Sequence, residues 1–236
     1  MRHENVAELR AYYFSTDEKL LVYDYYSEQS LCDLLHGKKI FEYEAARFPH
    51  SLKGKTGTDR TFLDWDSRLK IAVGAARGLA HIHRQDGKKL VHGNVRSSNI
   101  FLDEQRYGIV SDAGLAKLMN PISRPVMLSL GYHAPEVMDT RQASQASDVY
   151  SFGVMLLELL SARRTTTDGG NGSTLIKWIE NVILNEWTTD AIDKELLYKH
   201  PDEEEEMVQM LQIGMDCVVS VPESRPRMHQ VVRMLE

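Results

Sequence analysis

The stretch from Asp148 to Leu160, DVYSFGVMLLELL, would be apolar on nearly every side if it formed a helix. A surface helix of a soluble protein carries one apolar stripe and one polar face, whereas a helix that is apolar all round has to be covered by its neighbours. The stretch therefore predicts a helix that is buried on every side, and the rest of the chain must supply the elements that surround it.

Most of the other patterns are also helical. Helical spacing begins at Asp66, after a short helix predicted over residues 30–36. Two short runs at the start, VAELRAYYF and KLLVYDYY, predict a β-hairpin, and YGIVSD predicts a further strand. Three more helices are predicted over residues 175–185, 204–219 and 228–236. The order indicates an α+β fold that is mainly helical, with a small β portion at its N-terminal edge.

Composition excludes several classes of partner. The chain has 236 residues and a net charge of −6, so it offers no basic field for nucleic acid or anionic lipid. No apolar run approaches the roughly 20 residues that span a bilayer. Cys32 and Cys217 each lie in an apolar stretch, which favours two buried thiols in a reducing compartment over a disulfide. We expect a cytosolic chain.

His81 and His83 are the one further metal-like signal. Residues two apart on a helix point to different faces, so the pair favours helix packing over a metal site.

The stretch VHGNVRSSNIFLD, residues 91–103, has the spacing of a protein-kinase catalytic loop but not its acid. Such a loop reads His-Arg-Asp, with an Asn five residues after the Asp. His92 and Asn99 stand at the matching positions, while Gly93 and Asn94 replace the Arg and the Asp. One degenerate loop is weak evidence by itself.

The landmarks downstream of this loop make the match specific. In order they are Asp112 in SDAGLAK, the Ala-Pro-Glu of GYHAPEVM ending at Glu136, Asp148 at the start of the apolar stretch, and Arg225 in PESRPRM. With them the sequence resembles the C-lobe of a eukaryotic protein kinase. In detail it is similar to the plant leucine-rich-repeat receptor-like kinases, particularly the subgroup suspected of being inactive.

The resemblance implies a protein-kinase-like fold over residues 1–236. Residues 1–26 would be a remnant of the N-lobe with the hinge, and residues 27–236 the C-lobe, interrupted by an insertion at about 37–60. In the family, a Gly-rich loop, a strand Lys and a helix Glu precede the segment that matches His3 onward. No Gly occurs before Gly37. We therefore expect a truncated N-lobe that lacks the upper half of an ATP site.

Two positions bear on phosphoryl transfer. In the family, the catalytic-loop Asp accepts the proton of the substrate hydroxyl. Asn94 stands there, and an amide is no base near neutral pH, so a contribution of roughly 10²–10⁴-fold would be lost. Arg96 stands where the family has a Lys that reaches the transferred phosphate, and it keeps the charge with planar geometry.

The resemblance also suggests a nucleotide and metal site. Asn99 and Asp112 match the family's metal ligands, but with the upper lobe missing we favour a role as turn-formers and caps over metal binding. Ala113 follows Asp112 in place of the family's Phe, which leaves a void or a rearranged loop. The hinge positions are Tyr23, Asp24, Tyr25 and Tyr26, with Phe101 beneath the place of an adenine. Tyr23 could equally be a core aromatic.

Other matches concern architecture. Glu136 is predicted to pair with Arg225, an ion pair that would leave a buried charge if one partner were lost. Asp148 is predicted to accept backbone N–H groups from the loop around His92. These residues would stabilise the fold, and they could do so in a protein that has no kinase activity.

We predict a truncated pseudokinase that binds proteins in receptor signalling, with ATP and Mg²⁺ bound weakly or not at all. Two alternatives stay open. The chain could be a slow or conditional Ser/Thr kinase that binds ATP. It could also be an incomplete part of a membrane receptor kinase, in which case it would lie on the cytosolic face of the plasma membrane.

Overall fold

The structure is a computed structural model that describes residues 2–15, 18–26, 29–37, 61–85, 87, 90–115, 131–165, 174–185 and 188–236. Most of the predicted insertion, residues 38–60, lies outside the described residues.

The apolar stretch forms the central helix, Gln145–Ser161. It begins with a capping box, in which Ser144 and Ser147 exchange hydrogen bonds between side chain and backbone. Its side chains from Phe152 to Leu160 are buried, as the sequence predicted. A Cβ on Gly153 would lie 2.6 Å from Cys217 Cβ, so this glycine lets the helix Glu204–Cys217 pack closely against the central helix.

A second long helix, Trp65–Arg84, begins at Asp64, whose side chain accepts from the Ser67 amide. Gly74 and Gly78 lie one turn apart on this helix. A Cβ on Gly74 would lie 2.4 Å from the Gly108 nitrogen, and a Cβ on Gly78 would lie 2.2 Å from the Asn5 carbonyl oxygen. The backbone at the start of the chain and the backbone of the strand at Gly108 are therefore both in direct contact with this helix.

The remaining elements surround these two helices. The helices are Leu31–His36, Leu175–Leu184, Lys194–Lys199, Glu204–Cys217 and Met228–Leu235, and the strands Ile100–Leu102 and Gly108–Val110 form an antiparallel pair. The predicted helix ends at 185, 219 and 236 lie one or two residues too far. Among the residues described, no helix combines the length and apolar character needed to cross a membrane.

The predicted hairpin consists of Leu9–Phe14 and Lys19–Tyr23, paired antiparallel with Tyr13 opposite Leu20. Its base is held to the helical part by the Ala7 amide, which donates to the Val110 carbonyl at 2.9 Å. Beyond that base most of its apolar side chains are exposed, with Tyr12 69% exposed.

Both cysteines are free; Cys217 is buried as predicted, whereas Cys32 is only partly buried. Burial raises the pKa of the Cys217 thiol to about 12. Burial is also the largest cause that raises the pKa of Cys32, followed by the charge of Glu158. Neither thiol has the lowered pKa of a reactive cysteine.

Candidate functional site

The loop that begins at His92 is held by Asp148 of the central helix. One carboxylate oxygen of Asp148 accepts from the His92 amide at 2.7 Å, and the other accepts from the Gly93 amide at 2.8 Å. His83 of the long helix contacts the same carboxylate at 2.9 Å. Gly93 has φ 81°, a conformation that glycine adopts without strain. The contacts predicted for Asp148 are present, and His83 adds a partner that the sequence did not indicate.

Hydrogen bonds within the loop fix its course. The Asn94 amide donates to His92 Nδ1 at 3.2 Å, and Asn99 Nδ2 donates to the Asn94 carbonyl at 2.9 Å. The Asn99 carbonyl accepts from the Ser111 amide at 2.9 Å. His92 is fully buried, and burial is the largest cause that lowers its pKa. The loop therefore keeps a defined shape with no carboxylate at residue 94.

The two positions tied to phosphoryl transfer have unengaged side chains. Within the described ranges, neither the Asn94 amide group nor the Arg96 guanidinium has a hydrogen bond or ion pair, and Arg96 Nε is buried without a partner. Both side chains are partly buried. An amide and a guanidinium can each donate to an oxygen anion, but neither is a base that would remove a proton from a hydroxyl.

The two candidate metal ligands supply few free oxygens. Asn99 uses its amide nitrogen on the Asn94 carbonyl, which leaves one side-chain oxygen. Asp112 has φ 62° and faces the Tyr23 phenol; burial, followed by the charge of Asp112, raises the pKa of Tyr23. In the part of the chain that is described, no group of three or more His, Cys, Asp or Glu could hold a metal ion. Mg²⁺ needs near-octahedral oxygen coordination, so these residues do not fit a resident metal.

The place predicted for an adenine is next to a stacked aromatic pair. The rings of Tyr26 and Phe101 stack with centroids 5.5 Å apart. Tyr25 points outward and is 91% exposed. Asp24 makes a two-pronged ion pair with Arg10, with distances of 2.9 and 2.6 Å, which ties the hinge to the hairpin. Phe101 thus already has an aromatic partner from this chain. Ala113, at the position of the family's Phe, is partly buried against the core.

The predicted ion pair between Glu136 and Arg225 is present, with two N–O contacts of 2.7 and 2.9 Å. Arg225 also donates to the carbonyls of Val219, Ser220 and Ala146. Partial burial by itself would raise the pKa of Glu136, but the hydrogen bonds and charge of Arg225 lower it overall. The pair joins the segment around Glu136 to the loop before the last helix.

A buried polar cluster behind the loop was missed from the sequence. The Tyr132 hydroxyl donates to Glu158 of the central helix and lies 2.8 Å from the Ser97 hydroxyl. His36 contacts the other Glu158 oxygen at 2.8 Å. The only sequence signal was a Glu inside an otherwise apolar helix. The cluster fixes Ser97 and Tyr132 side by side, and with them the backbone on either side.

A family model described as protein tyrosine and serine/threonine kinase matches residues 1–235. A protein of Arabidopsis thaliana named probable inactive receptor kinase is 49% identical over 238 residues, covering 100% of this chain and 34% of that protein. An inactive leucine-rich repeat receptor-like serine/threonine-protein kinase of the same plant is 43% identical, covering 100% of this chain and 36% of that protein. The chain thus spans about a third of the length of these relatives.

A solved structure of a pseudokinase domain is also similar to this chain. The pseudokinase domain of BIR2, described as an immune regulator of the RLK/Pelle family, matches with a TM-score of 0.74 and 32% identity. The match covers 99% of this chain and 64% of that one.

Proposed function

Because the chain belongs to the protein tyrosine and serine/threonine kinase family, we propose that this domain is a pseudokinase module, which binds or scaffolds proteins in receptor signalling without useful phosphoryl transfer. The observation that carries the proposal is Asn94, an amide in the position of the family's proton acceptor, in a loop whose course hydrogen bonds fix. The relatives named as inactive kinases support it.

Nucleotide binding is proposed to be weak or absent. The Tyr26–Phe101 stack takes up an aromatic face that an adenine would need. Asn99 and Asp112 would hold Mg²⁺ only together with nucleotide phosphates, since two side chains leave most of the metal shell empty.

The relatives, rather than the geometry, support the proposed protein partners and place in the cell. Relatives named receptor kinases suggest receptor kinases or signalling proteins as partners. As part of such a receptor, the domain would lie on the cytosolic face of the plasma membrane.

The first test is phosphoryl transfer. The purified protein is incubated with radiolabelled ATP and a generic protein substrate, in Mg²⁺ and separately in Mn²⁺. We expect incorporation equal to that of an Asp112→Ala control, both for the wild type and for Asn94→Asp. Incorporation above the control in the wild type would overturn the proposal in favour of a slow kinase.

The second test is nucleotide binding. Millimolar ATP with Mg²⁺ should leave the melting temperature unchanged, because the adenine face and the metal shell are both incomplete. A shift of several degrees that Asp112→Asn abolishes would show that the remaining groups suffice.

A further inference from the structure

A cavity of about 570 Å³ lies between the end of the long helix Trp65–Arg84, the start of the central helix and the segment that leads into the last helix. Pockets that take small organic molecules have volumes of roughly 300–1,000 Å³. In the part of the chain that is described, no lining residue comes from the catalytic-like loop or from the hinge. The cavity is therefore a concave site apart from the catalytic-like loop.

The inner part of the cavity is apolar. Ala80, Val149 and Met228 line it and are almost fully buried. Pro222 and Pro226 line it as well and are partly buried, so a bound molecule can cover them. Contact with these side chains would remove apolar surface from water, which is the main source of affinity in small-molecule pockets. The ligand should therefore have an apolar body.

Hydrogen bonds hold the polar walls of the cavity in place. Gln145 Nε2 donates to the carbonyls of His83 and Leu90, with both distances at 2.9 Å. The Arg225 guanidinium lines the cavity and donates to both oxygens of Glu136, at 2.7 and 2.9 Å. The cavity is thus largely formed before a ligand enters, so little binding free energy is lost in ordering its walls.

Two positive charges at the cavity lack an ionic partner. Arg84 and Arg227 line it and are exposed, and within the described ranges neither guanidinium makes an ion pair. His83 is already in contact with Asp148, and Glu223 is the one carboxylate among the described lining residues. The last helix also begins here, which adds the positive end of its dipole. The rim of the cavity therefore favours an anionic group.

We propose that this cavity binds a small organic anion, whose apolar body packs against Val149 and Met228 and whose carboxylate is bound by Arg84 and Arg227. The planar guanidinium matches the two oxygens of a carboxylate. An inorganic anion would leave the apolar walls uncovered, and a neutral apolar molecule would gain nothing from the two charges. The proposal goes beyond the pseudokinase function and does not depend on it, since no described residue of the cavity belongs to the catalytic-like loop.

The test uses NMR on the protein isotope-labelled at its methionine methyl groups, with the Met228 signal assigned by its loss in Met228→Leu. Phenylbutyrate is titrated in parallel with phenylbutyramide, which has the same apolar body and a neutral amide, and with acetate, which has the carboxylate alone. Phenylbutyrate should shift the Met228 signal in a saturable way and bind at least about fivefold more tightly than the amide. Acetate at the same concentrations should leave the signal in place.

Three outcomes of these titrations would overturn the proposal. An unchanged Met228 signal at millimolar phenylbutyrate would show that the cavity does not take up the ligand. Equal affinities for phenylbutyrate and phenylbutyramide would remove the role of the anionic group. An equal shift with acetate would remove the role of the apolar body.

A double variant locates the anionic group. Arg84→Gln with Arg227→Gln should weaken phenylbutyrate binding about fivefold, because an exposed ion pair contributes modestly, and should leave phenylbutyramide binding unchanged. The matched control, Arg141→Gln with Arg233→Gln, removes two charges at exposed positions that do not line the cavity and should keep the wild-type affinity. All four side chains are exposed, so both variants should fold. Equal losses in the two double variants would show that only the overall charge matters and would refute the site.

Discussion

Asp148 supports the catalytic-like loop through both of its carboxylate oxygens. They accept from the amides of His92 and Gly93, and one also contacts His83, all inside the protein. A buried carboxylate with three such partners has its hydrogen-bonding capacity met. None of these contacts involves the side chain of residue 94, the catalytic position. This explains how the loop keeps its course although residue 94 has lost its charge.

The first prediction follows from that carboxylate. In Asp148→Asn, one acceptor oxygen becomes an NH₂ group that faces a backbone N–H donor, so the free energy of unfolding should fall by about 3 kcal/mol. The control is Asp66→Asn, which removes a charge from an exposed pair with Lys70. The control should leave the urea midpoint unchanged. Equal, small losses in both variants would show that Asp148 does not hold the loop.

The second prediction concerns pH. Burial is the largest cause that lowers the pKa of His3, His92 and His133. The unfolded chain then binds protons at a higher pH than the folded chain, so stability is full above about pH 6.5 and falls as the pH decreases below it. Urea unfolding between pH 7.5 and 5.5 should show this decline.

Two single variants compare a partly buried histidine with an exposed one. His3→Gln should make the decline in stability shallower, whereas His229→Gln, at an exposed position, should leave the slope unchanged. Stability that is flat or rises towards pH 5.5 in the wild type would contradict the prediction.

At the scale of elements, the fold depends on close backbone approach. The long helix Trp65–Arg84 carries Gly74 and Gly78 against the strand at Gly108 and the carbonyl of Asn5. The same face lets the Val110 amide donate to the Asn5 carbonyl at 3.0 Å. The start of the chain is thus fixed to the helical part, and the hairpin begins directly after this fixed segment.

The third prediction tests this contact. Alanine is better than glycine inside a helix by about 1 kcal/mol, so Gly78→Ala at an open site would stabilise the protein. Here the added Cβ would meet the Asn5 carbonyl at 2.2 Å, and we expect a net loss of about 2 kcal/mol. Hydrogen exchange of the Ala7 and Val110 amides should accelerate more than exchange in the central helix. A stabilised Gly78→Ala variant would disprove the close approach.

Some of these elements could be predicted from the sequence and others could not. The central helix is apolar on all sides, so its burial follows from composition alone. The salt bridge of Arg68 to Asp193, 2.6 Å long, does not, because a charged residue at a helical position looks the same whether it faces solvent or the core. The sequence also gives no sign of the hydrogen bond that Trp65 donates to the exposed Glu206, because the two residues are 141 positions apart.

Some contacts of the candidate site could likewise be predicted from the sequence, and others could not. Motif spacing predicted that Asp148 contacts the loop and that Glu136 pairs with Arg225, and both contacts are present, because these partners lie at fixed positions within the motifs. Spacing gave no indication of Tyr132 bound to Glu158, or of Tyr26 stacked on Phe101. Those contacts depend on how separate segments approach one another in three dimensions.

At the scale of the whole molecule, apolar surface is unevenly distributed. The helical part buries its apolar side chains in one main core, whereas the hairpin keeps Tyr12, Tyr13, Leu20 and Val22 more than half exposed. In the described part of the chain its sheet has only two strands, so each strand has an edge with unpaired N–H and C=O groups. Such edges and faces invite pairing with another chain.

The last prediction is that the protein associates through this hairpin as its concentration rises. A two-stranded sheet is marginal in water, so its amides should exchange fast in a dilute monomer, while the central helix stays protected. Sedimentation velocity should show association that the double variant Tyr13→Glu with Leu20→Lys suppresses. These residues lie directly opposite each other, so the new charges attract and the hairpin is retained. Tyr198→Glu, at a position 86% exposed on another helix, should leave association unchanged. A hairpin as protected as the central helix in a dilute monomer, or association unaffected by the double variant, would show that the exposed strands are stable without a second chain.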